Sequence, residues 1–219
     1  MSTLTFPKAV LWDMDGTLVD SEPYWLLSES ALAQDYGKVW TKEHGHELIG
    51  KSLYDSSAIL KDRFDIRDLD AQQIIDRLTD SVIDKLQHSL PWRPGALELL
   101  MELRQAGVKT ALVTMSMRRM ALAVVEAIPF QAFDVVVAGD DVTHGKPHPE
   151  PYLKAAELLG VEPGECIAIE DSVTGLKSAE AAGCLPLGIV NLMHLEQSGT
   201  RVIRPTLSNI NLETLRGLK

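Results

Sequence analysis

The chain has 219 residues, 45% of them apolar and 24% charged, with a formal net charge of −10. That length suits one core domain with a smaller companion, and the composition excludes disordered, collagen-like and coiled-coil chains. The acidic balance argues against nucleic acid or an anionic membrane as main partner, because affinity for phosphate backbones and anionic lipid comes from clustered Lys and Arg.

The N-terminal stretch M-S-T-L-T-F-P-K lacks a basic region followed by a long apolar one, and nowhere do about 18 uncharged apolar residues run together. A soluble, cytoplasmic protein is expected, and Cys166 and Cys184, widely spaced in apolar text, read as small core residues in a reducing compartment. The first predicted strand is Ala9 to Trp12, and it ends abruptly in D-M-D-G-T. Between Asp20 and Trp92 the text is helical and polar, with Ile75, Leu78, Val82 and Leu86 marking one amphipathic face.

From about residue 92 onward, apolar runs at Val108 to Thr114, Phe133 to Ala138, Cys166 to Glu170 and Leu185 to Val190 alternate with helical patterns. This is the signature of βαβ units and a parallel sheet. The helical stripes are Ala96, Leu99, Leu100 and Leu103, then Met117, Met120, Ala121, Val124, Val125 and Ile128, then Tyr152, Ala155, Ala156 and Leu159. Gly107, Gly160 and Gly183 close the helices. The expected fold is α/β, a doubly wound, mostly parallel sheet interrupted after its first strand by an all-helical insertion. The expected domains are 1–19 with 92–219 as the core and 20–91 as the insertion, linked at Val19 to Ser21 and at S-L-P-W-R-P-G.

Ligands of open α/β sheets collect outside the carboxyl ends of the strands. Asp13 and Asp15 follow the first strand, Thr114 and Ser116 the second, Lys146 lies after the third, and Glu170 with Asp171 closes the fourth. A lone D-x-D pair means little, since 31 acids in 219 residues produce about four by chance. The ordered series of acids, hydroxyls, ammonium and acids carries the signal, with Gly16 and Gly175 giving the backbone room to approach a ligand.

The stretches D-M-D-G-T-L-V-D-S, L-V-T-M-S, G-K-P-H-P-E-P-Y and I-E-D-S-V-T-G resemble, in order and across the whole chain, the four motifs of the haloacid dehalogenase superfamily. The resemblance is to the branch with a helical cap, which holds β-phosphoglucomutases and sugar-phosphate phosphatases. It implies a Rossmann-like core and a cap over residues 20–91. It implies Asp13 as nucleophile, forming an aspartyl phosphate, and Asp15 as general acid and base. Thr114 and Ser116, with the backbone amides around Met115, would hold the phosphoryl oxygens, while Lys146 offsets their charge. Mg²⁺ is the implied cofactor, on a carboxylate oxygen of Asp13, the backbone carbonyl of Asp15, Asp171, and Glu170 directly or through water. In the cap, Gly50, Lys51 and Ser52 become candidate substrate contacts, with Trp25 on the first cap helix.

Blander roles are open for some of these residues. Glu170 also suits a helix-start acid and Ser172 an N-cap, Asp140 and Asp141 suit either partners of Lys146 or a solvated loop, and Arg118 with Arg119 suits a helix face. G-H-E-L-I-G-K-S at Gly45 to Ser52 fits the phosphate-binding loop of nucleotide-hydrolysing proteins letter for letter but lacks the preceding strand. His44, His46, His144 and His148 read as solvated loop histidines rather than zinc ligands, since Gly and Pro prevent a helical pair at the second site.

A Mg²⁺-dependent phosphatase of a small phosphorylated metabolite, a sugar or polyol phosphate, is expected, acting as a monomer without nucleic acid or membrane. A phosphomutase is the alternative, disfavoured by Trp25 and Leu53 where such mutases carry His and Arg. A non-catalytic phospho-acceptor module is the alternative of a different class, disfavoured by Asp15.

Overall fold

The computed structural model describes residues 6–218, so most of the N-terminal stretch read for a leader lies outside the described residues. In chain order it runs β1 (Ala9–Trp12), α1 (Glu22–Asp35), α2 (Lys42–His46), α3 (Leu53–Phe64), α4 (Ala71–His88) and α5 (Ala96–Gln105). It continues through β2 (Lys109–Val113), α6 (Arg118–Glu126), β3 (Val135–Val137), α7 (Glu150–Leu159) and β4 (Cys166–Glu170). The last elements are α8 (Val173–Ala182), β5 (Leu185–Ile189), β6 (Val202–Arg204) and α9 (Leu212–Arg216). Two compact units result, one from the residues up to Asp20 and from Trp92 onward, the other from Ser21–Pro91.

In the first unit the strands form one sheet in the order β3-β2-β1-β4-β5-β6, and every neighbouring pair is parallel. The central strands are mostly apolar, with Glu170 at the end of β4 and Lys109 and Thr110 at the start of β2 as exceptions, because helices cover both faces of such a sheet. Chain addition proceeds to one side of β1 through β2 and β3, and to the other through β4, β5 and β6. The reversal point is therefore β1, where a crevice opens at the carboxyl edge. Trp12 is level with Leu112 on β2 and with Ile169 on β4, so the residues that follow, Asp13, Val113 and Glu170, reach the edge together.

Helix α7 packs Tyr152, Ala155, Ala156 and Leu159 against Ala9, Leu11, Ala111, Val113 and Ala168 of the sheet. Cys166 and Cys184 lie in the same cluster, buried and free. Two details differ from expectation. Met117, counted in the α6 stripe, is the N-cap of that helix in extended conformation, and Ile128 lies past its end. Strand β6 is additional: three half-buried residues at the sheet edge, between Arg201 and Pro205, are too short and too charged at their flanks to show a strand pattern.

The second unit is helical. Ile75, Leu78, Val82 and Leu86 of α4 are buried as their spacing predicts, and Leu32, Trp40, Leu60, Phe64 and Ile74 share one core cluster with Leu78. Helix α4 starts in a reciprocal cap: Gln73 N–H donates to Asp70 Oδ1, and Asp70 N–H donates to Gln73 Oε1, both at 2.8 Å. Glu29 of α1 is buried and accepts a hydrogen bond of 2.7 Å from Trp40 Nε1. Burial pushes its carboxyl up to about 7, against the opposing pull of that bond.

The decoy at Gly45 to Ser52 follows no strand: Gly45 and His46 end the short helix α2, and Ser52 caps α3. His44 is not simply solvated, because its ring lies 5.1 Å from that of Trp40 and its Nδ1 accepts the Thr41 N–H. Among the described residues no helix is long and apolar enough to cross a membrane.

Candidate active site

Strand β1 delivers a buried Asp13 to the carboxyl edge, where its backbone N–H still donates to Ile169 O at 3.0 Å. The chain then turns sharply. Gly16, at φ +82°, sits so close to Asp171 Oδ2 and Asn191 Nδ2 that a β-carbon there would collide with both. A left-handed backbone and a missing side chain are both needed at this position.

The loop between β3 and α7 supplies Lys146. Its Nζ donates to Glu170 Oε1 at 2.6 Å, to Asp13 Oδ1 at 2.7 Å and to Val113 O at 2.8 Å, which uses all three protons of the ammonium. Burial alone would push Lys146 down, but the charges of Asp13 and Glu170 outweigh it and hold the ammonium above its ordinary range. Asp13 is pushed up to about 7, first by burial and next by the charge of Glu170, with Lys146 pulling the other way. Carboxylate oxygens of Asp13, Glu170 and Asp171 all lie within 4.8 Å of one another. One ammonium does not balance three buried carboxylates, and the charge of Glu170 adds to burial in raising Asp13. Hard oxygen donors with an excess of negative charge are the donor set of a Mg²⁺-class dication, so these residues fit one.

Asp15 is held by the end of β2. Ser116 Oγ donates to its Oδ2 at 2.7 Å and Thr114 Oγ1 at 3.3 Å, while Thr114 Oγ1 accepts the Ser116 N–H at 3.0 Å. The hydroxyls expected to face a phosphoryl group therefore also orient Asp15. The Met115 side chain turns to the lysine loop: its Sδ accepts the Lys146 N–H at 3.3 Å.

Glu170 is fully buried, and Tyr152 O–H donates to its Oε1 at 2.6 Å while Ser172 Oγ donates to its Oε2 at 3.2 Å. Ser172 is also the N-cap of α8, accepting the Gly175 N–H, as expected from the sequence. Gly175 makes room for Glu170 rather than for a ligand: a β-carbon there would overlap the Glu170 carboxyl group. Asp140 and Asp141 do not reach Lys146. They accept hydrogen bonds from the Arg118 backbone and guanidinium at 2.8 and 2.5 Å, fixing the start of α6.

Two contributors escaped the sequence reading. Tyr152 reads as core because its position in the α7 stripe is a core position, and its phenol is polar only at the tip. Asn191, whose Nδ2 donates to Asp171 Oδ2 at 3.0 Å, follows the last apolar run, and its place at the exit of β5 was the signal that could have found it. Trp25, Gly50, Lys51 and Ser52 belong to the helical unit. The Ser52 hydroxyl already caps α3, accepting the Asp55 N–H at 3.0 Å and donating to the Asp55 carboxylate at 2.7 Å.

A doubly wound α/β domain with acids, hydroxyls and a buried lysine gathered at its switch point defines a hydrolase-type catalytic domain. The chain belongs to one such family: residues 7–183 match the model described as haloacid dehalogenase-like hydrolase. It is 31% identical to the phosphorylated carbohydrates phosphatase of Thermotoga maritima, over 90% of this chain and 94% of the relative. It is 34% identical to hexitol phosphatase A of Escherichia coli, over 81% of this chain and 80% of that protein. The crystal structure of CbbY from Rhodobacter sphaeroides in complex with phosphate superimposes with a TM-score of 0.85 at 26% identity, covering 95% of this chain and 98% of that one.

Proposed function

We propose that the protein is a Mg²⁺-dependent phosphatase that hydrolyses a small phosphomonoester of the sugar or polyol type through an aspartyl phosphate on Asp13. The observation that carries this reading is Asp13 Oδ1 held at 2.7 Å by Lys146, beside Glu170 and Asp171, with Asp15 on the Thr114 and Ser116 hydroxyls. The named activities of the Thermotoga and Escherichia relatives support the substrate class.

Asp13, the Asp15 carbonyl and Asp171 would hold the ion, and Glu170 stands behind them, engaged by Lys146 and Tyr152. When bound, the dication neutralises phosphate oxygens and keeps Asp13 ionised, so that the carboxylate is a nucleophile at neutral pH. Asp13 attacks phosphorus and forms the acyl phosphate, while Asp15 gives its proton to the departing alkoxide. Asp15 then takes a proton from the water that attacks the acyl phosphate and regenerates Asp13. Lys146 offsets the charge on Asp13 and on the transferring group throughout.

The helical unit takes the role of cap, with Trp25, Gly50 and Lys51 setting the choice of substrate. A cytoplasmic monomer completes the reading, the free buried cysteines supporting its reducing compartment. The test is steady release of phosphate from p-nitrophenyl phosphate with Mg²⁺, followed by a panel of hexose, hexitol, glycolate and nucleotide monophosphates. Many turnovers that depend on Mg²⁺, fastest on a sugar or polyol phosphate, are expected. One equivalent followed by arrest would point instead to a phospho-acceptor module, and interconversion of sugar phosphates without release to a mutase.

A further inference from the structure

The loop that delivers Lys146 carries a histidine two residues to either side of it, and the turn sets both against one carboxylate. His144 Nδ1 lies 2.9 Å from Glu150 Oε2, and His148 Nδ1 lies 4.0 Å from the same oxygen. The two imidazole centroids are 4.6 Å apart with their planes inclined by 35°. One ligand-type atom from each of the three residues falls within 4.8 Å of the other two.

The frame around these groups is fixed. Thr143 N–H donates to Glu150 Oε1 at 2.7 Å and His144 N–H to Oε2 at 2.9 Å, which orients the carboxylate. The hydrogen bond from Thr143 heads the interactions that hold this carboxyl below its ordinary range, so it is an anion. His148 N–H donates to Gly145 O at 3.0 Å, and His148 O accepts the Ser178 hydroxyl at 2.6 Å. Only the two exposed imidazoles need to adjust.

We propose that His144, His148 and Glu150 form a site for a zinc-class dication, with water completing the coordination. Two imidazoles and one carboxylate are donors that borderline metals take readily, whereas Mg²⁺ selects oxygen ligands and keeps its waters. Tetrahedral ligands at about 2.0 to 2.2 Å from zinc stand about 3.3 Å from one another, a spacing that the observed 2.9 and 4.0 Å bracket. His148 Nδ1 now accepts the Glu150 N–H at a long 3.2 Å, and metal coordination replaces that contact. The site shares no residue with the Asp13, Glu170 and Asp171 cluster. Its occupancy ties together the two ends of the segment that presents Lys146.

The experiment is a calorimetric Zn²⁺ titration of the full chain in excess Mg²⁺, repeated by visible absorption with Co²⁺. The native protein is expected to take up Zn²⁺ with a histidine-type Co²⁺ spectrum. His144→Gln and His148→Gln each remove a proposed ligand and are expected to weaken uptake by at least the about 10- to 100-fold seen when a metal site loses only a supporting group. His194→Gln is the control and leaves uptake unchanged. Both test positions are exposed, and unchanged circular dichroism verifies the fold. Absence of Zn²⁺ uptake by the native chain, or undiminished uptake by the doubly substituted one, overturns the proposal. Metal uptake is read without turnover, so the phosphatase reading stands or falls separately.

Discussion

Tyr152 and Lys146 share one acceptor: the phenol O–H and the ammonium each reach Oε1 of the fully buried Glu170 at 2.6 Å. Tyr152 thereby ties the sheet core to the charged cluster, because its ring packs among Leu11, Val113 and Ala168 while its tip is polar. Burial and the Glu170 charge hold the phenol well above its ordinary range, so it stays a donor at every working pH.

Tyr152→Phe keeps the ring and removes the donor. Stability is expected to fall by about 1 to 3 kcal/mol, the usual cost of leaving a buried acceptor short of a partner. The main functional effect is on kcat, about tenfold, since Glu170 loses one of the three groups that fix it. Denaturant unfolding with steady-state kinetics on p-nitrophenyl phosphate checks both, and an unchanged kcat would remove Tyr152 from the positioning role.

Lys146→Met leaves Asp13 and Glu170 without their shared cation. Removing one partner from a buried ion cluster costs about 3 to 5 kcal/mol. Turnover is expected to be lost, and Lys146→Arg should not restore it, because a planar guanidinium cannot place donors on Asp13, Glu170 and Val113 O as one ammonium does. Added Mg²⁺ should recover part of the stability of Lys146→Met, measured as a shift of the unfolding midpoint with metal concentration.

The helical unit carries its own pH signature in Glu29. Its carboxyl is raised from 4.5 to about 7 in the folded chain, so below about pH 4.5 both states hold the proton and nothing is lost. Between those values the unfolded chain ionises while the folded one does not, and stability falls as pH rises, levelling above about 7. The full loss is about 3 kcal/mol. Glu29→Gln keeps an oxygen for Trp40 Nε1 and should show no such fall. The difference in unfolding free energy between the two proteins, followed from pH 4.5 to 8, should grow in favour of the variant, and a flat difference would contradict this assignment.

Much of the site was legible because strand ends are marked twice, by the end of an apolar run and by the polar residue that follows. Trp12 then Asp13, Val113 then Thr114, and Ile169 then Glu170 all show this, and the parallel register brings Asp13 level with Glu170 and within one residue of Thr114. Side-chain pairing was less legible. Nothing in the spacing says that Asp140 and Asp141 turn to Arg118, or that Met115 faces the lysine loop, because loop side chains choose partners by geometry rather than period. Gly175 was read as room for a ligand, yet the space it opens is filled by Glu170. The three residues of β6 fell below any periodic signal.

The central claim is that Asp13 is the group that takes the phosphoryl. Acid quenching during turnover with Mg²⁺, followed by peptide mass analysis, should find one phosphoryl group on the peptide carrying Asp13, absent in folded Asp13→Asn that has lost turnover. Steady turnover by Asp13→Asn, or a phosphoryl group trapped on a different residue, would contradict the account.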